Sequence, residues 1–203
     1  MARSYFDDET SPAHDWHHVQ RVEANAERLV EALPGVDGRV VRLAVLLHDV
    51  GRAREDRGDV ADHAAWGARE ARELLADRGV DDETVDAVAH CVRAHRYSTG
   101  PDPQTTEARV LADADNLDAL GAVGVARCFT YGGELGQPIH DPAVPPEADQ
   151  SRAGRSQFNH FHKKILDLPD RMYTEPARRL ASERADYVRD FLDRMAAEVA
   201  GEQ

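Results

Sequence analysis

Cysteine and lysine are both nearly missing from this sequence, with two of each in 203 residues. Cys91 and Cys128 fall in helical patterns without the close pairing of a cysteine metal motif. A disulfide framework is therefore excluded, and both thiols are expected to be reduced core residues. No apolar run approaches the roughly 20 residues of a membrane span. The opening MARSYFDDETSPAHD has no apolar signal region, so the expectation is a cytoplasmic protein with no membrane partner. Strand-type alternation and internal repeats are also absent, which leaves helices.

Positive charge is scarce as well. Thirty-eight acidic residues face 25 basic ones, for a net charge of −13, and only Lys163 and Lys164 are not arginine. The acids are dispersed (Asp7-Asp8-Glu9, Asp81-Asp82-Glu83, Glu183, Asp186, Asp190, Asp193) and do not form a tail. Such a coat fits adaptation to high salt, where screening over about 3 Å at molar ionic strength relieves self-repulsion. An acidic protein encoded by a GC-rich genome is the plainer alternative. In either case nucleic-acid backbones are not expected partners.

Apolar residues at 41% and this length predict one domain over 1–203. Its core spans about 14–131, followed by a long loop over 132–155 and closing helices over 156–203. Val19, Val22, Ala26, Leu29, Val30 and Leu33 make a helical stripe from His14 to Leu33, ended by Pro34-Gly35. Val40 to Val50 is the most apolar helix, with Gly51 at a C-cap position. Further helices are expected at Ala61 to Arg78, Asp81 to Arg96 and Thr105 to Tyr131, the last broken around Gly121 and Gly124. Gly132 to Arg155 holds four glycines and four prolines, and loops of this length are usually functional. Gln157 to Leu168 and Thr174 to Val199 close the chain.

One doublet stands out. His48-Asp49 ends the most apolar helix, where an imidazole and a carboxylate are costly to bury unless paired or metal-bound. Upstream lies His14-Asp15-Trp16-His17-His18, with Arg21-Val22 just after it. Downstream, between Leu111 and Leu117, lies Ala112-Asp113-Ala114-Asp115-Asn116. Three separated helices thus each offer imidazole or carboxylate beside apolar sequence. Mixed nitrogen and oxygen donors suit octahedral Mn²⁺, Fe²⁺, Co²⁺ or Mg²⁺ better than structural zinc.

His18-x-x-Arg21-Val22, Leu46-Leu47-His48-Asp49-Val50-Gly51 and Ala114-Asp115-Asn116-Leu117 together resemble the H…HD…D signature of HD-domain metal-dependent phosphohydrolases. The likeness extends to a bacterial and archaeal branch through His63-Ala64-x-x-Gly67-Ala68, His95-Arg96-x-Ser98, Asp113 to Ala122 and His160-Phe161-x-x-Lys164. It covers nearly the whole chain and implies an all-α HD-domain helical bundle with additional C-terminal helices. It also implies a divalent metal ion on His18, His48, Asp49 and Asp115. His14 and His17 compete with His18, which has the right spacing to Arg21-Val22. Lys163 departs from the branch, which tends to place an acidic residue there.

The implied reaction is hydrolysis of a nucleotide or another small phosphate ester or anhydride by a metal-activated water. Asp49 is expected to hold that water. Asp118, one turn after Asp115, is either a general base or a solvated carboxylate, and Asp113 is read as a residue that orients a ligand. His63, His95, Arg21, Arg52 and Lys164 are the candidate phosphate contacts. His90 is read as structural, Trp16 and Trp66 as packing or pocket wall. Two rival readings remain: a di-iron oxygenase using His63 and His95 as extra ligands, and a non-catalytic nucleotide-binding module, against which the intact ligands argue.

Overall fold

The computed structural model describes residues 2–6, 10–96 and 100–202, and all regular structure among them is helical. Ser98 and the Asp7-Asp8-Glu9 run lie outside the described residues. The main helices are α1 (Trp16–Ala32), α2 (Gly38–Leu47), α3 (Arg52–Asp56), α4 (His63–Ala76), α5 (Asp82–Ala94), α6 (Thr106–Asp118), α7 (Gly121–Glu134), α8 (Gln157–Lys163) and α9 (Glu175–Val199). Contacts cluster into two compact units, residues 1–116 and 117–203. No described helix is long and apolar enough to cross a membrane.

Part of the acidic coat has a local task. The side chains of Asp15, Asp37, Asp62 and Asp81 accept backbone N–H groups at the starts of α1, α2, α4 and α5. Such caps contribute about 0.5–2 kcal/mol each. They also explain why α1 and α4 begin at Trp16 and His63, slightly later than the apolar stripes suggest.

In the first unit, α4 packs on α5, α1 on α2 and α2 on α5. The buried stripe of α1 (Val19, Val22, Leu29) meets this layer, as do Val41 and Val45 of α2. Helix α2 stops at Leu47, so His48 is its C-cap and Asp49 opens the turn into α3. Gly51 is not the left-handed cap expected from sequence, since its φ is −95° and it precedes α3. Its lack of a side chain serves close approach instead: a Cβ there would lie 2.8 Å from the His63 carbonyl oxygen and 2.9 Å from the Trp66 ring.

In the second unit, α7 packs on α9 around Phe129, Phe161 and Phe191, whose ring centroids lie 5.7–6.4 Å apart. The expected break falls at Gly121, with φ +70°. Gly132 and Gly133 are helical and do not open the loop, because α7 runs on to Glu134. Gly132 marks a close approach to Gln157, which a Cβ would meet at 2.3 Å. Helix α8 is shorter than the pattern suggests and gives way to 3-10 turns at Ile165–Asp167 and Pro169–Arg171. Both cysteines are free and buried, and burial pushes each thiol pKa up to about 12.

Candidate metal centre

Side chains from four helices or helix ends of the first unit, α1, α2, α4 and α5, converge on one carboxylate. Asp49 sits in the turn after α2, with its Oδ2 3.7 Å from both His18 Nε2 and His48 Nε2. Its Oδ1 lies 3.1 Å from His63 Nε2 and 3.6 Å from His95 Nε2. The imidazoles face each other in pairs, His18 to His48 at 3.4 Å and His63 to His95 at 3.3 Å between Nε2 atoms. Asp115 on α6 adds an oxygen 3.3 Å from His18 Nε2. His18, His48, Asp49, His63 and His95 are all at least 95% buried.

Helix ends set the ring orientations. His48 and His95 cap the C-termini of α2 and α5, where the last carbonyls lack intrahelical partners. Each donates Nδ1–H to the carbonyl three residues back, Val45 and Val92, at 2.7 Å. A neutral imidazole has one N–H, so both Nε2 atoms are left with lone pairs turned inward. Burial drives the His48 pKa down to about 4, against the pull of Asp49, and so keeps that lone pair available at neutral pH. Burial opposes the charge on Asp49, yet the surrounding imidazoles outweigh it and hold the carboxyl well below the usual range. Asp115 is depressed in the same way, chiefly by His18 against burial.

At His48 and His95 acceptors therefore face the Asp49 carboxylate, out of water. Left so, each such group costs roughly 1–3 kcal/mol; a cation between them turns the cost into binding. Donors about 2.1 Å from one ion stand about 3 Å apart at adjacent octahedral positions, so the observed separations fit with small adjustments. Two triads among the described residues can hold an ion, His18-His48-Asp49 and Asp49-His63-His95. The donor set thus fits a divalent metal ion.

Of the three competing N-terminal histidines, only His18 joins the cluster. His17 is exposed, 3.1 Å from the Gln20 side-chain oxygen, and the His14 ring stands edge-on to His18 at 5.7 Å. Arg52 opens α3, its Nε 3.3 Å from Asp56. Burial lowers the His63 pKa, but the Asp49 and Glu55 carboxylates outweigh it and raise it, with the Arg52 charge a smaller opposing influence. His90 accepts the Gln104 backbone N–H and so plays a structural part. Trp66 packs on Tyr5 and under Arg54, and Trp16 packs on Phe6.

Asp118, Lys164 and the loop belong to the second unit. Asp118 is 2% exposed and paired with Arg127 at 2.9 Å, so it is not a solvated carboxylate. Lys164 is half-buried and ends α8. Sequence reasoning missed Glu55, which accepts a hydrogen bond from His63 Nδ1. A lone glutamate in an arginine-rich turn carries no periodic signal, and only the fold of α3 brings it there.

The chain is similar over residues 15–120 to the HD domain family. It is 32% identical to the uncharacterized protein YpgQ of Bacillus subtilis, across 98% of this chain and 90% of that protein. A crystal structure of an HD-superfamily hydrolase from Bacillus thuringiensis superposes with a TM-score of 0.72 at 32% identity, covering 93% of this chain and 88% of the other. The structure of YpgQ in complex with ADP superposes with a TM-score of 0.76 at 29% identity, over 98% and 94% of the two chains.

Proposed function

Because this chain belongs to the HD-domain family, whose solved relatives include HD-superfamily hydrolases, we propose that it is a metal-dependent phosphohydrolase. Its substrate is a nucleotide or another small phosphate ester or anhydride. The observation that carries this reading is the inward set of imidazole and carboxylate donors around Asp49, with the outer ring nitrogens of His48 and His95 already committed to helix carbonyls. His18, His48, Asp49 and Asp115 are the ligand set for Mn²⁺, Fe²⁺, Co²⁺ or Mg²⁺. When bound, such an ion lowers the pKa of its water and polarises a phosphoryl oxygen.

The protein's own residues do the rest. Asp49 holds the nucleophilic water beside the phosphorus. Arg52, next to His63, brings positive charge to an otherwise acidic chain, and His63 and His95 offer hydrogen-bonding edges beside it. Lys164 is a proposed contact for a substrate phosphate. Asp118 carries the general-base role less well, since its carboxylate already accepts from Arg127. Support for a nucleotide comes from the relative whose structure holds ADP.

The second triad, Asp49-His63-His95, favours a rival form of the centre with two ions, including a di-iron oxygenase. Two equivalents of bound iron with an oxygen-sensitive optical spectrum would identify it. A non-catalytic nucleotide-binding module is disfavoured by the complete donor set. The deciding experiment is a panel of nucleotides and sugar phosphates with Mn²⁺, at low and high KCl, followed for phosphate and for pyrophosphate release. No release from any member, with nucleotide still bound, would overturn the hydrolase reading. The lysine-poor acidic surface adds an expectation of greater stability in molar salt, testable from the same KCl series by melting temperature.

A further inference from the structure

Three of the four imidazoles around Asp49, those of His48, His63 and His95, set Nδ1 against an outer acceptor, and the fold supplies it in two ways. His48 and His95 sit at helix C-termini and use carbonyls of their own helices. His63 is the first residue of α4. A helix N-terminus presents N–H groups and no spare carbonyl, so this ring must import an acceptor. Glu55 of α3 is that acceptor.

Glu55 is itself held. Arg96, the residue after His95, donates to Glu55 Oε1 at 2.8 Å. The same guanidinium nitrogen lies 3.4 Å from Asp62 Oδ1, the carboxylate that caps α4 through the Ala64 and Ala65 N–H groups. One guanidinium therefore ties together α3, the start of α4 and the end of α5. Both ring nitrogens of His63 face a carboxylate, Asp49 Oδ1 at 3.1 Å from Nε2 and Glu55 at Nδ1, and the clamped Glu55 draws the single proton of the neutral ring to Nδ1.

We propose that Glu55, gripped by Arg96, is a positioning residue that turns the His63 Nε2 lone pair toward Asp49 and His95. It makes the Asp49-His63-His95 side of the centre competent to take a cation. This consequence rests on the metal reading above, whereas the orientation of His63 can be tested without any ion.

The test uses ¹⁵N-labelled, metal-free full-length protein at alkaline pH, with long-range imidazole ¹H–¹⁵N correlations reporting the His63 tautomer and His63→Gln assigning its signals. The parent is expected to carry the proton on Nδ1. Glu55→Gln, whose amide oxygen still accepts, should keep it there, while Glu55→Ala and the bulkier Glu55→Leu should release it toward Nε2. Titration with Co²⁺ should then show a second equivalent bound about tenfold more weakly in the two removal variants, as expected for loss of an outer partner of a ligand. A parent proton on Nε2, or an unchanged tautomer in Glu55→Ala and Glu55→Leu, would overturn the proposal. A parent that binds no Co²⁺, yet whose tautomer follows Glu55, would support the positioning role while removing the metal reading.

Discussion

The Asp49 cluster of the first unit and the polar knot around Asp149 in the second unit both take hydrogen-bonding groups out of water, in opposite ways. In the knot, the Asp149 carboxylate accepts from the backbone N–H groups of Ser151 and Arg155 and from the Asn159 amide, at 2.8–2.9 Å. Asn159 also donates to the Val144 carbonyl, and Ser156 Oγ accepts the Asn159 N–H. Donors meet acceptors, and the result is an ordered loop. Around Asp49, the Nε2 lone pairs of His48 and His95 meet carboxylate oxygens at 3.6–3.7 Å. Buried polarity that closes on itself builds structure, whereas buried polarity left rich in acceptors is poised for a cation.

The largest test of that contrast removes the shared carboxylate. Asp49→Ala should abolish bound metal and nearly all hydrolysis, as should His48→Ala and Asp115→Asn. Helical content should persist, since the apolar stripes of α1, α2 and α5 are untouched. Metal analysis and circular dichroism check this together; an active, metal-replete Asp49→Ala protein would end the assignment.

Ion choice comes next in size. Chelation should abolish activity, and Mn²⁺, Co²⁺ or Fe²⁺ should restore it better than Ca²⁺, because imidazole nitrogen favours transition metals over calcium. An ion present at 100 times its dissociation constant should also stabilise the fold by about 2.7 kcal/mol, read as a rise in Tm. Equal rescue by Ca²⁺ would mean that the nitrogen donors do not bind the ion.

A smaller effect is expected at Lys164, which follows directly on α8. Arginine has displaced lysine at every other basic position except the neighbouring Lys163. Lysine is a compact point charge on a flexible stem and is not interchangeable with arginine's planar fork. Lys164→Ala should therefore raise KM or lower kcat about tenfold, near 1.4 kcal/mol, with metal content unchanged. Lys163→Ala should be milder. Parent-like turnover in Lys164→Ala would make the lysine a surface remnant.

Much of this was legible in the residues. The apolar period placed the helices, and the His48-Asp49 doublet read as a site because its cost of burial is large and local. Where sequence misled, a long-range contact was responsible. Gly51 and Gly132 look like helix ends, yet each is small because another segment approaches, His63 and Trp66 in one case and Gln157 in the other. Glu55 was invisible for the same reason, since its value lies wholly in its distance to His63 in the fold. The two carboxylates Asp118 and Asp149 look alike in sequence as acids near helices; only their partners, Arg127 for one and a set of N–H groups for the other, tell them apart.

The smallest effect tests the closed side of the comparison. Ser156 caps α8 and is fully buried, its hydroxyl oxygen accepting the Asn159 N–H at 3.2 Å. Replacing an N-cap serine by alanine costs about 1 kcal/mol, and each kcal/mol shifts Tm by roughly 2–4 °C in a chain of this size. Ser156→Ala should therefore lower Tm by a few degrees. The Asn159 N–H would be left without its acceptor, so Asn159 should hold Asp149 and Val144 less firmly. Faster amide exchange at Ser151 and Arg155, whose N–H groups Asp149 accepts, would report that loosening. Co²⁺ stoichiometry should stay at the parent value, because Ser156 is not among the described residues grouped as metal donors. A Ser156→Ala protein that melts like the parent, with exchange at Ser151 and Arg155 unchanged, would show that the knot does not depend on its cap.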